Sequence, residues 1–241
     1  MWPFSSAPVA ADDKLPPTHP YYPLGVDIAH YVANDYSVLR LLISFALGCA
    51  AVFLVTHLSL LRRSPVKLSA ADRLTVFWFA LCGCIHLFFE GYYVAHFRSL
   101  AGLQTLFGQL WKEYSLSDSR YLTSDPFVLC MEAVTAVCWG PLSFAVACLI
   151  ARDHPLRHPL QLLVSLGQLY GDVLYFATSA FDEWVYGRTY SRPERYYYWG
   201  YYVLCNIFWI VIPACLVVSS VRAGGRAAKA LKQLEKGKKA A

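Results

Sequence analysis

Charged side chains are scarce. Asp, Glu, Lys and Arg together make up 15% of the 241 residues, where a soluble domain carries about 25%. With 57% hydrophobic and 16% aromatic residues, the shortage excludes an ordinary soluble domain and indicates a polytopic membrane protein. The first 36 residues hold no basic stretch leading into an apolar run, so no cleaved signal peptide is expected there. There is no internal repeat, and the length suits one bundle rather than two domains. The net charge of +5 is concentrated in short connections and the C-terminal tail, so it implies no nucleic-acid partner. All eight cysteines (Cys49, Cys82, Cys84, Cys130, Cys138, Cys148, Cys205 and Cys215) fall in apolar runs. That argues against a disulfide framework and leaves small apolar packing as their role.

What the chain does have is apolar runs of bilayer length, about 20 residues each. Five are expected, at 37–61, 74–97, 127–151, 160–180 and 196–221. They predict an all-α, five-transmembrane-helix bundle in three regions. Residues 1–36 form a Pro-rich segment, mobile or lying on the surface; residues 37–221 form the bundle; residues 222–241 form a basic tail. The connection 98–125 is mixed and aromatic, which suits a short interfacial helix over the bundle mouth. Lys and Arg concentrate at 62–73, at 152–159 and in the tail, so these face the cytosol and the N-terminus faces the lumen. Lys238 and Lys239, followed by two alanines, match a dilysine retrieval signal. The expected location is the endoplasmic-reticulum membrane.

Inside these runs sit groups that hydrocarbon does not tolerate cheaply, at about 2.5–3.5 kcal/mol for a charge near the helix centre. His86 and Glu90 are four residues apart and share one helical face. At about 1.5 Å per residue, His86, Glu90, Glu132, Asp172 and Asn206 all fall roughly 8–16 Å from the lumenal ends of their spans. They form one polar layer to which the first span contributes nothing, so that span is expected outside. One imidazole with separated carboxylates offers no compact metal-ligand motif. A proton path across the bilayer would need polar groups in the other half, where only Gln161, Ser165 and scattered hydroxyls stand. Acid-base chemistry on a lipid-soluble substrate fits better. Burial disfavours charged forms, so a protonated acid and a neutral base coexist near neutral pH. For Asp172, helix packing with Gln168 competes with a chemical role.

Six separated strings bear on the function: His86-Leu-Phe-Phe-Glu90-Gly, Leu110-Trp-Lys-Glu-Tyr114, Asp118-Ser-Arg-Tyr121, Met131-Glu132-Ala-Val-Thr135, Tyr170-Gly-Asp-Val-Leu-Tyr-Phe176 and Asn206-Ile-Phe-Trp209. In that order they resemble the emopamil-binding protein family of sterol Δ8–Δ7 isomerases, from about residue 20 to residue 221. The resemblance implies a five-helix enzyme that moves a sterol C8=C9 double bond to C7=C8. An acid protonates C9, a carbocation forms at C8, and a base removes a proton from C7, with no metal or redox cofactor. By matched position it implies His86, Glu90, Glu132, Thr135, Asn206 and Trp209 as functional residues. Glu90, paired with His86, is then the proton donor and Glu132, positioned by Thr135, the base, or the reverse. Asn206 is expected to hydrogen-bond His86, and the Trp209 indole to stabilise the cation. Tyr114, Arg120 and Tyr121 are expected at the cavity mouth. Cationic amphiphilic amines that mimic the carbocation are expected to bind, membrane lipid surrounds the bundle, and aromatic outer faces suit a homodimer. The alternative is a non-catalytic sterol- or amine-binding protein of the same fold; the joint presence of these side chains favours the enzyme.

Overall fold

The computed structural model describes residues 19–240; residues 1–18 of the N-terminal segment lie outside them. Among the described residues there is no β-strand. Long helices α1 (Val38–Leu61), α2 (Ala70–His96), α4 (Pro126–Ala151), α5 (Arg157–Tyr186) and α6 (Tyr197–Lys239) are joined by a short helix, α3 (Leu106–Tyr114), in the connection between α2 and α4. Their starts are chemically marked. The side chains of Ser37, Ser69, Thr105 and Asp125 each accept a hydrogen bond from a first-turn N–H, and Pro126 occupies the first turn of α4, where its missing N–H costs nothing. At the other end of α5, Gly187 adopts φ 64°, the left-handed cap that a Cβ would strain.

Among the described residues, α1, α2, α4 and α6 are long and apolar enough to cross a membrane. The fifth expected span is a 30-residue helix, long enough but not apolar enough. Its polar row Gln161, Ser165, Gln168 and Asp172 lowers its hydropathy, and that row is buried. Gln161 Nε2 donates to Ser220 Oγ of α6 at 2.9 Å. The row therefore faces other helices. An amide turned toward hydrocarbon would leave its donors unsatisfied.

Helices α2 and α4 pack through Val76, Phe79, Val146 and Ile150, with Val164 of α5. An aromatic cluster holds the other end, where Tyr93, Trp111, Tyr121, Tyr175 and Tyr202 meet. Gly167 of α5 lies against the Trp139 indole so closely that an added Cβ would collide with the ring. As expected, α1 is peripheral: only Leu41 and Thr56 of its residues are buried.

Three local features add to the sequence reading. The described part of the N-terminal segment is anchored: Gln109 Oε1 accepts the backbone N–H groups of Asp35 and Tyr36 at 3.1 and 2.9 Å. Lys112 Nζ donates to Val32 O at 2.7 Å and Tyr21 Oη to Lys112 O at 3.1 Å. Burial lowers the Lys112 pKa, with the Asp35 charge opposing. Secondly, the tail is helical through the last described residues, continuous with α6. Thirdly, the long helices contain π-helical turns, including Ile85–Glu90 in α2 and Thr135–Trp139 in α4.

Because Gln109 is fully buried, Gln109→Ala strands two N–H groups and should destabilise the protein by about 1–2 kcal/mol. Thermal unfolding in detergent checks this, and an unchanged midpoint contradicts it.

Candidate active site

The site is built on the π-helical turn of α2. A π-turn inserts an extra residue and re-aims the side chains around it, which is why such turns recur at functional sites. His86 and Glu90 occupy this turn, with His86 buried. The imidazole Nδ1 lies 2.9 and 2.8 Å from Glu90 Oε1 and Oε2. Its Nε2 lies 2.9 Å from the Gln168 amide nitrogen of α5. That amide donates to Nε2, which leaves the ring proton on Nδ1, directed at the Glu90 carboxylate.

Glu132, from α4, is also buried. Its Oε1 accepts the Tyr121 hydroxyl at 2.6 Å, and its side chain lines the same cavity as Glu90 and His86. Tyr121 lies outside the long helices. Burial raises its phenol pKa well above the usual range, and the Glu132 charge adds to this, so its hydroxyl remains a donor.

All of these line one cavity of about 500 Å³, within the usual size range of ligand pockets. Trp78, Trp139 and Trp209 contribute apolar wall. The Trp209 ring is 6.3 Å from the imidazole, edge-on, and 5.3 Å from Trp78. Helix α1, though peripheral, does contribute: Leu41, Leu42 and Phe45 line the cavity. Leu42, Phe45 and Phe208 of α6, which also line it, are partly exposed.

Of the residues singled out from the sequence, His86, Glu90, Glu132, Thr135, Asn206 and Trp209, with Tyr114, Tyr121 and Asp172, line this cavity, and Arg120 does not. Some expected contacts are corrected. Asn206 does not bond His86; its Nδ2 donates to Tyr114 Oη at 2.8 Å and to Tyr202 O at 2.7 Å. Gln168 takes the place expected of Asn206. The Thr135 hydroxyl donates to Met131 O at 2.8 Å, so it braces its own helix rather than Glu132. Arg120 is not at the mouth. It is buried away from the cavity lining, in a pair with Asp118 at 2.6 Å, over the Tyr175 ring at 4.6 Å. Asp172 makes no bond to Gln168 and, among the described residues, no hydrogen bond at all; its Oδ2 is buried and unpartnered. Glu113, unremarked in the sequence, lines the wall and accepts from Tyr201 Oη at 3.1 Å.

The arrangement can hold a flat apolar molecule between two proton-carrying stations, the His86–Glu90 pair and Glu132. Among the described residues no group of three His, Cys, Asp or Glu side chains is placed to hold a metal ion.

The chain resembles known proteins in line with this geometry. A family model described as EXPERA (EXPanded EBP superfamily) matches residues 106–220. The 3-beta-hydroxysteroid-Delta(8),Delta(7)-isomerase of Cavia porcellus is 40% identical over 206 residues, covering 86% of this chain and 89% of its own. That of Mus musculus is 42% identical over 206 residues, covering 86% and 88%. An isomeliandiol synthase of Melia azedarach is 38% identical over 170 residues, covering 69% and 75%.

Proposed function

From the premise that the chain belongs to the EXPERA (EXPanded EBP superfamily) family, we propose how its cavity performs the family reaction. The chain is an enzyme, an isomerase that moves the double bond of a 3β-hydroxysteroid from Δ8 to Δ7. The observation that carries the mechanism is the convergence of His86, Glu90 and Glu132 on one largely apolar cavity.

The His86–Glu90 pair delivers a proton to C9, and the C8=C9 π electrons form the new C9–H bond. The positive charge left at C8 is sheltered by apolar walls and by the Trp209 indole. Glu132 removes a proton from C7, whose C–H electrons become the C7=C8 bond. One proton enters the sterol and one leaves. Both stations line the one cavity and reset by proton exchange with water between turnovers, so no outside reactant is consumed. Gln168 holds the imidazole from its far side. Tyr121 holds Glu132, and Asn206 holds Tyr114 in the wall.

The same reading makes α5 a fifth span, whose buried polar row serves the cavity, and residues 37–221 the catalytic bundle. Lys and Arg in the 62–73 and 152–159 connections orient it with the start of α1 toward the lumen, in the endoplasmic-reticulum membrane that the resemblance implies. Protonated amphiphilic amines inhibit by placing their charge where the C8 cation forms.

Expression in yeast lacking its sterol isomerase tests the activity. Conversion of the accumulated Δ8-sterol to Δ7-sterol is expected; accumulation that persists beside well-expressed protein refutes it. A cation–π contribution of about 2 kcal/mol predicts that Trp209→Leu lowers kcat roughly thirtyfold. Trp209→Phe should retain part of the rate. Equal rates for Trp and Leu would remove the indole from the mechanism.

A further inference from the structure

Asp172 is a buried carboxyl group that neither the fold nor the acid-base chemistry uses. The other carboxyl groups in the cavity wall are engaged: Glu90 with His86, Glu132 with Tyr121 and Glu113 with Tyr201. Asp172 is 9% exposed, lines the cavity, and its Oδ2 has no partner among the described residues. A buried carboxyl left without a hydrogen bond costs stability, so its persistence in an otherwise satisfied wall points to a group supplied by the ligand. Gln168 Oε1, one turn away, is likewise buried and unpartnered.

The position fits one part of the substrate. Gln168 touches the His86 ring, and Asp172 lies one helical turn beyond it, about 6 Å along α5. It lies toward the aromatic end, where Tyr175 and Thr178 meet Tyr114 and Arg120. A 3β-hydroxysteroid carries its hydroxyl on ring A, one fused ring away from the reacting C8 and C9 of ring B. With ring B at the two proton stations, the polar end of the sterol needs a partner about one ring away.

We propose that Asp172 is the hydroxyl-recognition residue of the cavity, accepting the substrate 3β-OH and setting how far the sterol slides in, so that C9 and C7 register with their proton stations. The inference rests on the isomerase reading for its substrate. It assigns Asp172 substrate specificity rather than proton transfer.

The test compares a Δ8-sterol bearing the 3β-hydroxyl with its 3-deoxy analogue, in nanodiscs, on wild type and Asp172→Leu. Both binding and turnover are measured. A hydrogen bond to the hydroxyl predicts that Asp172→Leu lowers affinity and kcat/KM for the 3β-ol about tenfold. The analogue, poor in wild type, should change by less than about threefold. Asp172→Asn, close in shape and able to accept through its carbonyl, should lose less than Leu, again only for the 3β-ol. It serves as the deciding variant if the Leu protein does not fold. Equal losses for both sterols, or none for either, overturn the proposal while leaving an active isomerase intact. A wild type that isomerises neither sterol, yet binds the 3β-ol better in an Asp172-dependent way, upholds the subsite and sinks the isomerase reading.

Discussion

Glu132→Gln leaves a folded protein without turnover. The amide keeps the shape of the side chain and an oxygen that can still accept the Tyr121 hydroxyl bond, which is 2.6 Å in the native site, so the melting temperature in detergent should barely move. What is lost is the ability to take a proton from C7. A positioned general base contributes about 10²–10⁴-fold, and no other carboxyl group in the wall occupies its place. The expected fall in kcat is therefore about a thousandfold, measured by mass-spectrometric detection of Δ7-sterol from Δ8-sterol. Asp172→Asn, at the neighbouring cavity carboxyl, should lose far less. Retention of full activity by the Glu132 variant would remove this residue from the chemistry.

The largest effect on stability is expected from Asp118→Ala. Asp118 is fully buried and Arg120 almost so. The guanidinium donates to Asp118 through Nε at 2.9 Å and Nη2 at 2.6 Å, and to Thr178 Oγ1 at 2.9 Å. Burial alone would lower the Arg120 pKa, but the neighbouring Asp118 more than offsets it, so the guanidinium stays charged. Removing one partner of such a pair leaves an uncompensated charge, at a cost of about 3–5 kcal/mol. Asp118→Ala should therefore unfold at much lower temperature or denaturant concentration. Replacing both partners with apolar residues of similar volume should cost much less. A single variant within about 1 kcal/mol of wild type would contradict the structural role given to the pair.

These two expectations were legible in the sequence to different degrees. Glu132 and the His86–Glu90 pair stand out because hydrocarbon penalises them, and the four-residue spacing alone brings the pair together. Spans were equally readable where apolarity was the only demand, as in α1 and α6. The polar row of α5 was visible as a pattern, but its use was not. Whether Gln168 meets His86 or Asp172 depends on how α5 is rotated against α2, which is decided by packing such as Gly167 against Trp139. Asn206 illustrates the same limit: its depth was readable, but its partner, Tyr114, comes from the 98–125 connection, whose position no helical period reports. The anchoring of residues 19–36 through Gln109 rests on backbone acceptors and donors distant in sequence. The π-helical turns leave no periodic mark either, although one of them aims both His86 and Glu90.

The central claim is that protons leave and enter the sterol from side chains within one cavity. Purified protein in nanodiscs, turned over with Δ8-sterol in deuterium oxide, tests it most directly. The account predicts a Δ7 product carrying one deuterium at C9, lost entirely with Glu132→Gln. A Δ7 product with no deuterium at C9, or isomerisation that survives in the Glu132 variant, would contradict it.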